Sequence, residues 1–178
     1  MKVVIINGAP GAGKDAFVAM CKDVLGGHLV CNISTVDFVK EVAEFCGWDG
    51  TKTPENRKFL SDLKRLLTEW DDVPMKKTIE EVELFSKYLV RNELWNTGVV
   101  FIHCREPQQI NRLVEEFDFA AVTLMIRRDA AECVEQINNS DKSVYYYDYD
   151  YTVHNNGTLS KLRYEAIQFL RDYLGFNI

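Results

Sequence analysis

Met1-Lys-Val-Val-Ile-Ile-Asn7 followed by Gly8-Ala-Pro-Gly-Ala-Gly13-Lys14-Asp15 decides how the rest of the chain is read. Val3 to Ile6 is an unbroken β-branched run, the pattern of a strand buried on both faces. A glycine-rich turn follows at once. Beyond it, Phe17, Val18, Met20, Cys21, Val24 and Leu25 recur at helical spacing. Strand, glycine loop and helix in that order form the context that gives a G-x-x-x-x-G-K-[ST] match its meaning.

The chemistry of such a turn is phosphate binding. Gly8, Gly11 and Gly13 let the backbone N–H groups turn inward, and the new helix adds the positive end of its dipole. Lys14 adds a mobile charge for the outer phosphates. One position departs from the motif: Asp15, followed by Ala16, stands where a hydroxyl residue normally ligates Mg²⁺. A carboxylate is a hard oxygen ligand, so Asp15 serves the metal or positions an acceptor group; both readings stay open.

Size and composition narrow the field. The chain has 178 residues, enough for one domain with a substantial core, and is 47% hydrophobic. No apolar run approaches the roughly 20 residues that cross a bilayer. The chain enters its first strand directly, so the expectation is no signal peptide and a cytoplasmic protein. Five cysteines, Cys21, Cys31, Cys46, Cys104 and Cys133, show no C-x-x-C spacing and read as reduced, mostly buried thiols. His28, His103 and His154 are scattered, giving no support to a zinc site. A net charge of −6 disfavours a broad nucleic-acid surface while permitting a small positive pocket.

Leu29 to Ile33 reads as a second strand, and Ser34-Thr-Val-Asp37 leads into a helix with Val39, Val42, Ala43 and Cys46 on one face. Asp37 and Lys40, three apart, are neighbours on another face: either a helix-start carboxylate with a surface lysine, or contacts to a ligand. Thr53-Pro-Glu55 starts a further helix, whose stripe of Phe59, Leu60, Leu63, Leu67 and Trp70 is expected to be buried. Arg57, Ser61, Lys64 and Thr68 run along a different stripe. Two cations there grip an anion or form a solvated face. Asp71-Asp-Val-Pro74 reads as the end of that helix, and Thr78-Ile-Glu-Glu81 as a capping box opening the next one, which carries Val82, Phe85, Leu89 and Trp95.

Val99 to His103 is a third strand and Ala121 to Ile126 a fourth. Arg105 leaves the C-terminal end of the one, Arg127 and Arg128 that of the other. In open parallel sheets ligands bind at that edge, where arginines suit bidentate phosphate contact. Asn139 to Asp150 is polar and aromatic without a core pattern; it reads as a mobile cover over a site or as a tyrosine-rich surface loop. Tyr151 to His154 is a fifth strand. The last helix carries Leu159, Leu162, Ala166, Phe169, Leu170 and Tyr173 inward. Alternating strands and helices imply one α/β domain with a parallel sheet and right-handed crossovers.

These residues resemble the P-loop kinases of the nucleoside monophosphate kinase group, above all the phage-type deoxynucleoside monophosphate kinases and their adenylate-kinase-like relatives. The likeness is carried by Gly13-Lys14-Asp15, by Gly47-Trp-Asp-Gly50 with Lys52 and Arg57-Lys-Phe-Leu60, and by Tyr147-Asp-Tyr-Asp150 with Asn155-Asn-Gly-Thr-Leu159. It implies a three-layer P-loop fold with a five-stranded parallel sheet flanked by helices, a helical acceptor-binding insertion over about residues 34–96 and a short lid over about 138–150. It further implies an ATP- and Mg²⁺-dependent transfer of the γ-phosphoryl to a nucleoside monophosphate. By position, Gly8, Ala9, Pro10, Gly11, Ala12, Gly13, Lys14, Asp15 and Ala16 hold the donor phosphates, and Asn156, Gly157 and Thr158 lie near the donor adenine. Asp37, Lys40, Arg57, Lys64 and Arg105 face the acceptor; Arg105, Arg127, Arg128 and Lys142 act on the transferring phosphate, with Lys14 and Asp15. The Asp-Gly-x-Pro-Arg stretch of adenylate kinases is absent; His103-Cys-Arg-Glu-Pro107 stands there instead. The expected partner is a small phosphate acceptor, with no nucleic acid or membrane, in a monomer or homodimer. Two rivals remain: a kinase of another phosphorylated metabolite, of the phosphomevalonate or dephospho-coenzyme A type, and a non-catalytic ATP-binding protein.

Overall fold

The computed structural model describes residues 1–132 and 144–178. Five strands form one sheet: β1 Lys2–Asn7, β2 Val30–Ser34, β3 Val99–His103, β4 Ala121–Arg127 and β5 Tyr151–His154. Their order across the sheet is β2-β3-β1-β4-β5, and every neighbouring pair is parallel. β1 therefore sits at the centre. Val3 to Ile6 are fully buried, as a strand covered on both faces requires. The chain steps from β1 out past β3 to β2, and later crosses to β4 on the other side of β1. The direction of strand order thus reverses beside β1, which places a crevice at the C-terminal ends of β1 and β3.

One face of the sheet carries α1 Lys14–Leu25 and the last helix. There Phe17, Phe101 and Phe169 meet edge to face, around Ile6, Leu124 and Ile126. The other face carries α2 Asp37–Phe45, α3 Pro54–Asp71 and α4 Val73–Arg91 on the β2 side and α5 Pro107–Phe117 over β1 and β4, with Val3, Ile5, Val100 and Ile102 beneath α4 and α5. A helical turn, α6 Asp129–Glu132, follows β4, and α7 Leu159–Gln168 runs into a π-helical turn at Phe169–Tyr173. The three-layer α/β arrangement expected from the sequence is present. The expected extension of the helix after Arg128 to near Asn138 lies outside the described residues, as do Cys133 and Lys142.

Several local expectations are corrected. α4 begins at Val73, not at Thr78, because Asp72 adopts a left-handed conformation (φ 51) that turns the chain and lets the next helix start one residue later. Pro74 occupies the first turn, where it forfeits no hydrogen bond, and Thr78 is mid-helix with its hydroxyl on the Pro74 carbonyl. Trp95 lies beyond the end of α4 and is partly exposed. On α3 no side chain is fully buried, and Trp70 is 84% exposed. The stripe read as core faces solvent in part, since α3 rests on neighbouring helices and not on the sheet. Leu159 and Tyr173 are exposed where an inward position was expected, and Cys46 is exposed while Cys21 and Cys104 are buried.

Residues 144–150 also differ from the expectation of a stretch without core contacts. Val144 is buried, and Tyr147 and Tyr149 pack on the second face of the sheet. Asp150 accepts hydrogen bonds from the Thr123 backbone and hydroxyl at 2.8 and 2.7 Å, tying this segment to β4. Residues 138–143 of the expected lid lie outside the described residues.

Candidate active site

The loop between β1 and α1 arches over the C-terminal end of the central strand. Gly13 caps α1 at φ 101, and a Cβ there would lie 2.3 Å from the Asn155 side-chain nitrogen. Only glycine fits that backbone angle and that contact. α1 begins at Lys14, so its first-turn N–H groups have no acceptor within the helix and face the loop's concavity. Lys14 curls back over the loop, and its ammonium donates to the carbonyls of Gly8 at 2.6 Å and Ala9 at 3.0 Å. Arg128 reaches the same loop from the end of β4, with a guanidinium N–H 3.5 Å from the Gly11 carbonyl. The segment after β5 closes the third side: Asn155 donates to the Ala12 carbonyl at 2.8 Å, and Asn156 accepts from the Asp129 amide at 2.9 Å. Thr158 caps α7, its hydroxyl accepting from the Lys161 amide. Glycine cradle, lysine and flanking asparagines thus meet although they span more than half the chain.

Beneath the loop lies Asn7, fully buried at the end of β1. Its carbonyl oxygen accepts from the Gly8 amide at 2.8 Å, and its amide donates to Tyr149 Oη at 2.7 Å and to the Arg105 carbonyl at 3.3 Å. Tyr149 passes the connection on, donating to the Val144 carbonyl at 2.9 Å. Burial pushes the Tyr149 phenol well above its ordinary value, so it remains a neutral donor. Asn7 and Tyr149 were not singled out from the sequence. An asparagine before the first loop glycine is the only local signal.

His103 ends β3 and faces the loop. Its Nε2 is 2.9 Å from Asn32 Oδ1 on β2 and 3.8 Å from Asp15 Oδ1. Burial pushes its pKa down, Asp15 and Asp37 push it up, and Lys14 and Lys40 push it down. Burial dominates, which leaves the imidazole neutral at pH 7. Asp15 comes within 3.8 Å of His103, and Lys14 and the Asp37–Lys40 pair lie near enough to act on its charge. Asp37 accepts from the Ser34 amide and from the Lys40 ammonium, both at 2.7 Å, so the expected pair forms at the start of α2. Asp15, 93% exposed, points outward from the first turn of α1.

The α3 stripe divides. Lys64 donates to both carboxylate oxygens of Glu106 at 2.8 and 2.9 Å and to Gln109 at 3.2 Å. A cavity of about 350 Å³ opens beside this cluster, lined by Ser61, Lys64, Arg65, Thr68 and Glu69 of α3 and by Glu106 and Gln109. Arg57 lies apart, exposed, with its Nε on the Lys52 carbonyl. Arg105 leaves β3 directly above Asn7, and Cys104 beside it is buried with its thiol pushed up to about 12 by desolvation. Arg127 forms a bidentate pair with Glu132 at 2.7 and 2.8 Å and lies over the Tyr145 ring. That pair raises the arginine's pKa and holds Glu132 below the usual carboxylate range. Of the two arginines after β4, Arg128 touches the glycine loop and Arg127 is engaged with its own helical turn.

A metal finds a partial site here. Among the described residues no three His, Cys, Asp or Glu side chains cluster closely enough to hold an ion unaided. The lone carboxylate of Asp15 fits instead a cation that takes its remaining ligands from bound phosphates and water, the usual mode of Mg²⁺.

No family model and no curated relative matches the sequence. Solved structures do. Dephospho-CoA kinase from Campylobacter jejuni aligns with a TM-score of 0.50 at 11% identity, over 96% of each chain. Shikimate kinase from Aquifex aeolicus aligns at 0.48 and 12% identity over 99% of this chain and 100% of that one. APS kinase of Mycobacterium tuberculosis, in complex with AMPPNP and APS, aligns at 0.47 and 10% identity over 96% and 97%. The alignment with dephospho-CoA kinase, together with the strand order, gives the chain a P-loop kinase fold. Identities this low speak for fold alone. No helix among the described residues is long and apolar enough to cross a membrane.

Proposed function

We propose that this protein is a phosphotransferase that moves the γ-phosphoryl of ATP to a small phosphorylated acceptor, and that the acceptor is a (deoxy)nucleoside monophosphate. The observation that carries the reading is the glycine loop itself: a left-handed Gly13 pressed against Asn155, with the Lys14 ammonium already lying over the Gly8 and Ala9 carbonyls. Such a cradle suits an anion, and its length and lysine favour a polyphosphate.

Loop amides and Lys14 hold the β- and γ-phosphates, while Asn156, Gly157 and Thr158 border the donor base. Arg128, beside the loop, stabilises charge on the equatorial oxygens of the transferring group. An oxygen of the acceptor phosphate bonds to the γ-phosphorus as the bond to the β–γ bridging oxygen breaks, and ADP leaves. A phosphate monoester is largely ionised at pH 7, so no strong base is needed. Mg²⁺, when bound, supplies charge neutralisation on the donor phosphates, with Asp15 as the chain's ligand. Asp37 and Lys40 at the crevice, and the cavity beside Lys64, Glu106 and Gln109, are the acceptor side. Arg105, at the crevice above Asn7, is also assigned to the acceptor side, and Arg57, which lies apart with its Nε on the Lys52 carbonyl, is assigned to it by the resemblance alone. A site on the β1–β3 crevice also excludes water once both substrates are seated, which limits hydrolysis of the donor. The bidentate grip of Glu132 makes Arg127 a support for the turn that carries Arg128 rather than a direct phosphate contact.

ADP release from ATP and Mg²⁺ tests this against the common ribo- and deoxyribonucleoside monophosphates, with dephospho-coenzyme A and phosphomevalonate in parallel. The dephospho-CoA kinase fold likeness is the reason that acceptor belongs in the panel. Turnover with one or a few nucleotides is the expected outcome. Turnover only with another metabolite moves the acceptor class and keeps the reaction. Tight ATP binding with no product from any acceptor overturns the enzymatic reading.

A further inference from the structure

The glycine loop hangs on a residue 142 positions further along the chain. Asn7 Nδ2 donates to Tyr149 Oη at 2.7 Å, and Tyr149 donates onward to the Val144 carbonyl at 2.9 Å. On its other side Asn7 Oδ1 accepts from the Gly8 amide at 2.8 Å. The Gly8 carbonyl in turn accepts from the Lys14 ammonium at 2.6 Å. A tyrosine hydroxyl is thus joined to the lysine of the loop through Asn7 and Gly8. The direction of the path is fixed by backbone groups. The Gly8 amide can only donate, and the Arg105 carbonyl, 3.3 Å from Asn7 Nδ2, can only accept, so the Asn7 side-chain amide has one orientation.

Tyr149 is the fixed end of this path. Asp150, next in the chain, accepts from the Thr123 amide at 2.8 Å and from its hydroxyl at 2.7 Å, and the Asp150 amide donates to Thr123 Oγ1 at 2.9 Å. Thr123 is buried in β4, opposite Ile5 of β1. The Tyr149 ring itself packs on the sheet, with its centroid 5.0 Å from that of Tyr147. Lys14 is the movable end, an ammonium with three donor hydrogens on a flexible four-carbon stem. The Gly8 and Ala9 carbonyls take two of those hydrogens, and so set the direction of the third.

We propose that Tyr149 is a positioning residue of the phosphate site: through Asn7 and Gly8 it aims the Lys14 ammonium at the donor phosphates, and through the same asparagine it fixes the Arg105 backbone on the acceptor side. The inference rests on the reading of the glycine loop as an ATP site. Tyr149 acts at a distance, since Asn7 and Gly8 stand between its hydroxyl and the lysine. A buried polar network in which every member is satisfied holds its groups to one geometry. Geometry is what such a site sells to its ligand: a misplacement of about 1 Å in a positioned group can cost about 100-fold. Asn7 is the junction, because one side chain carries the bonds to the loop, to the end of β3 and to the anchored tyrosine.

Tyr149→Phe on the full chain tests this, since it keeps the ring and deletes the hydroxyl. Two readouts separate positioning from packing. In the first, lysines are acylated with limiting reagent in the absence of nucleotide, and each site is followed by mass spectrometry. Lys14 is expected to react several-fold faster in the variant, because the carbonyls that hold it are themselves no longer held. Lys58 and Lys87, exposed on α3 and α4, keep their wild-type rates. In the second, ATP with Mg²⁺ is titrated by calorimetry, and the Kd is expected to rise about tenfold, the scale of one hydrogen bond lost among buried partners. Tyr147→Phe, on the neighbouring ring, changes neither readout. Asn7→Ala breaks the same path nearer the loop and is expected to give both changes, so the test stands even if Tyr149→Phe does not fold. Lysines that quicken everywhere alike, a Lys14 rate that stays at wild type, or an unchanged Kd in a protein that binds ATP overturns the positioning role alone. A wild type that binds no ATP overturns the reading of the glycine loop and this inference with it.

Discussion

Asn7 and Trp70 mark the two extremes of this molecule. Asn7 is fully buried, and three hydrogen bonds bind it to the glycine loop, to the end of β3 and to the segment before β5. Trp70 stands almost free on a helix that buries no side chain completely. The glycine-loop side is built into the sheet, where each group is held by several others. α3 is held by helix–helix contacts with α2 and α4, whereas α4 itself packs Met75 and Val82 on the sheet. With no fully buried side chain, α3 is the element with the least to hold it in place, and low-stability elements of this kind open most readily.

Breaking the donor side is expected to have the largest effects. Lys14→Ala should lower turnover by about 10²–10³-fold, the scale of losing one preorganised charge at the transition state, while the melting temperature stays close to wild type. Steady-state ADP release and a thermal melt check both halves. Unchanged turnover would remove the glycine loop from the mechanism. Gly13→Ala places a methyl at φ 101 against Asn155 and should destabilise the fold by about 2–3 kcal/mol, read by urea unfolding. Asn7→Ala leaves the Gly8 amide without its acceptor and both the Arg105 carbonyl and Tyr149 Oη without their donor; a loss of about 2 kcal/mol is expected in the same assay.

The sequence made one half of this contrast visible and hid the other. Val3 to Lys14 was readable because strand, turn and helix are local and each residue type has a local reason to be there. The contact of Asn7 with Tyr149 joins residues 142 apart, and no periodicity encodes it. His103 likewise became a site residue only when β2, β3 and the loop were brought together. On α3 the spacing correctly marks an amphipathic helix, but spacing does not say what covers the apolar side. The start of α4 was misplaced because Val73-Pro74 serves equally as a stop and as a first turn; the left-handed Asp72 decides between them.

Smaller effects sharpen the comparison. Glu132 is held below the usual carboxylate range by Arg127, so it binds its proton more readily in the unfolded chain. The pair's contribution is present above the unfolded value of about 4.3 and is lost as pH falls through the lower folded value. Melting curves of wild type and Glu132→Gln should therefore differ at pH 7 and draw together as pH falls below the unfolded value of about 4.3 and through the lower folded one; curves that stay parallel contradict the assignment. Thr53→Ala removes the hydroxyl that caps α3 at the Asn56 amide and should cost about 1 kcal/mol locally. Hydrogen exchange should quicken across α3 and leave β1 untouched. Quickening in β1 as well would show that insertion and sheet unfold as one unit.

Cys104 turns the crevice into something that can be timed. Its sulfur lies buried beside Gln109 with its pKa pushed up to about 12, so at pH 7 it is almost wholly protonated and inert to alkylating reagents. Cys46, exposed at the end of α2, reacts at once. The lag between the two modifications is then a stopwatch for how often the crevice admits water to its floor, and ligands that hold it shut would lengthen that lag.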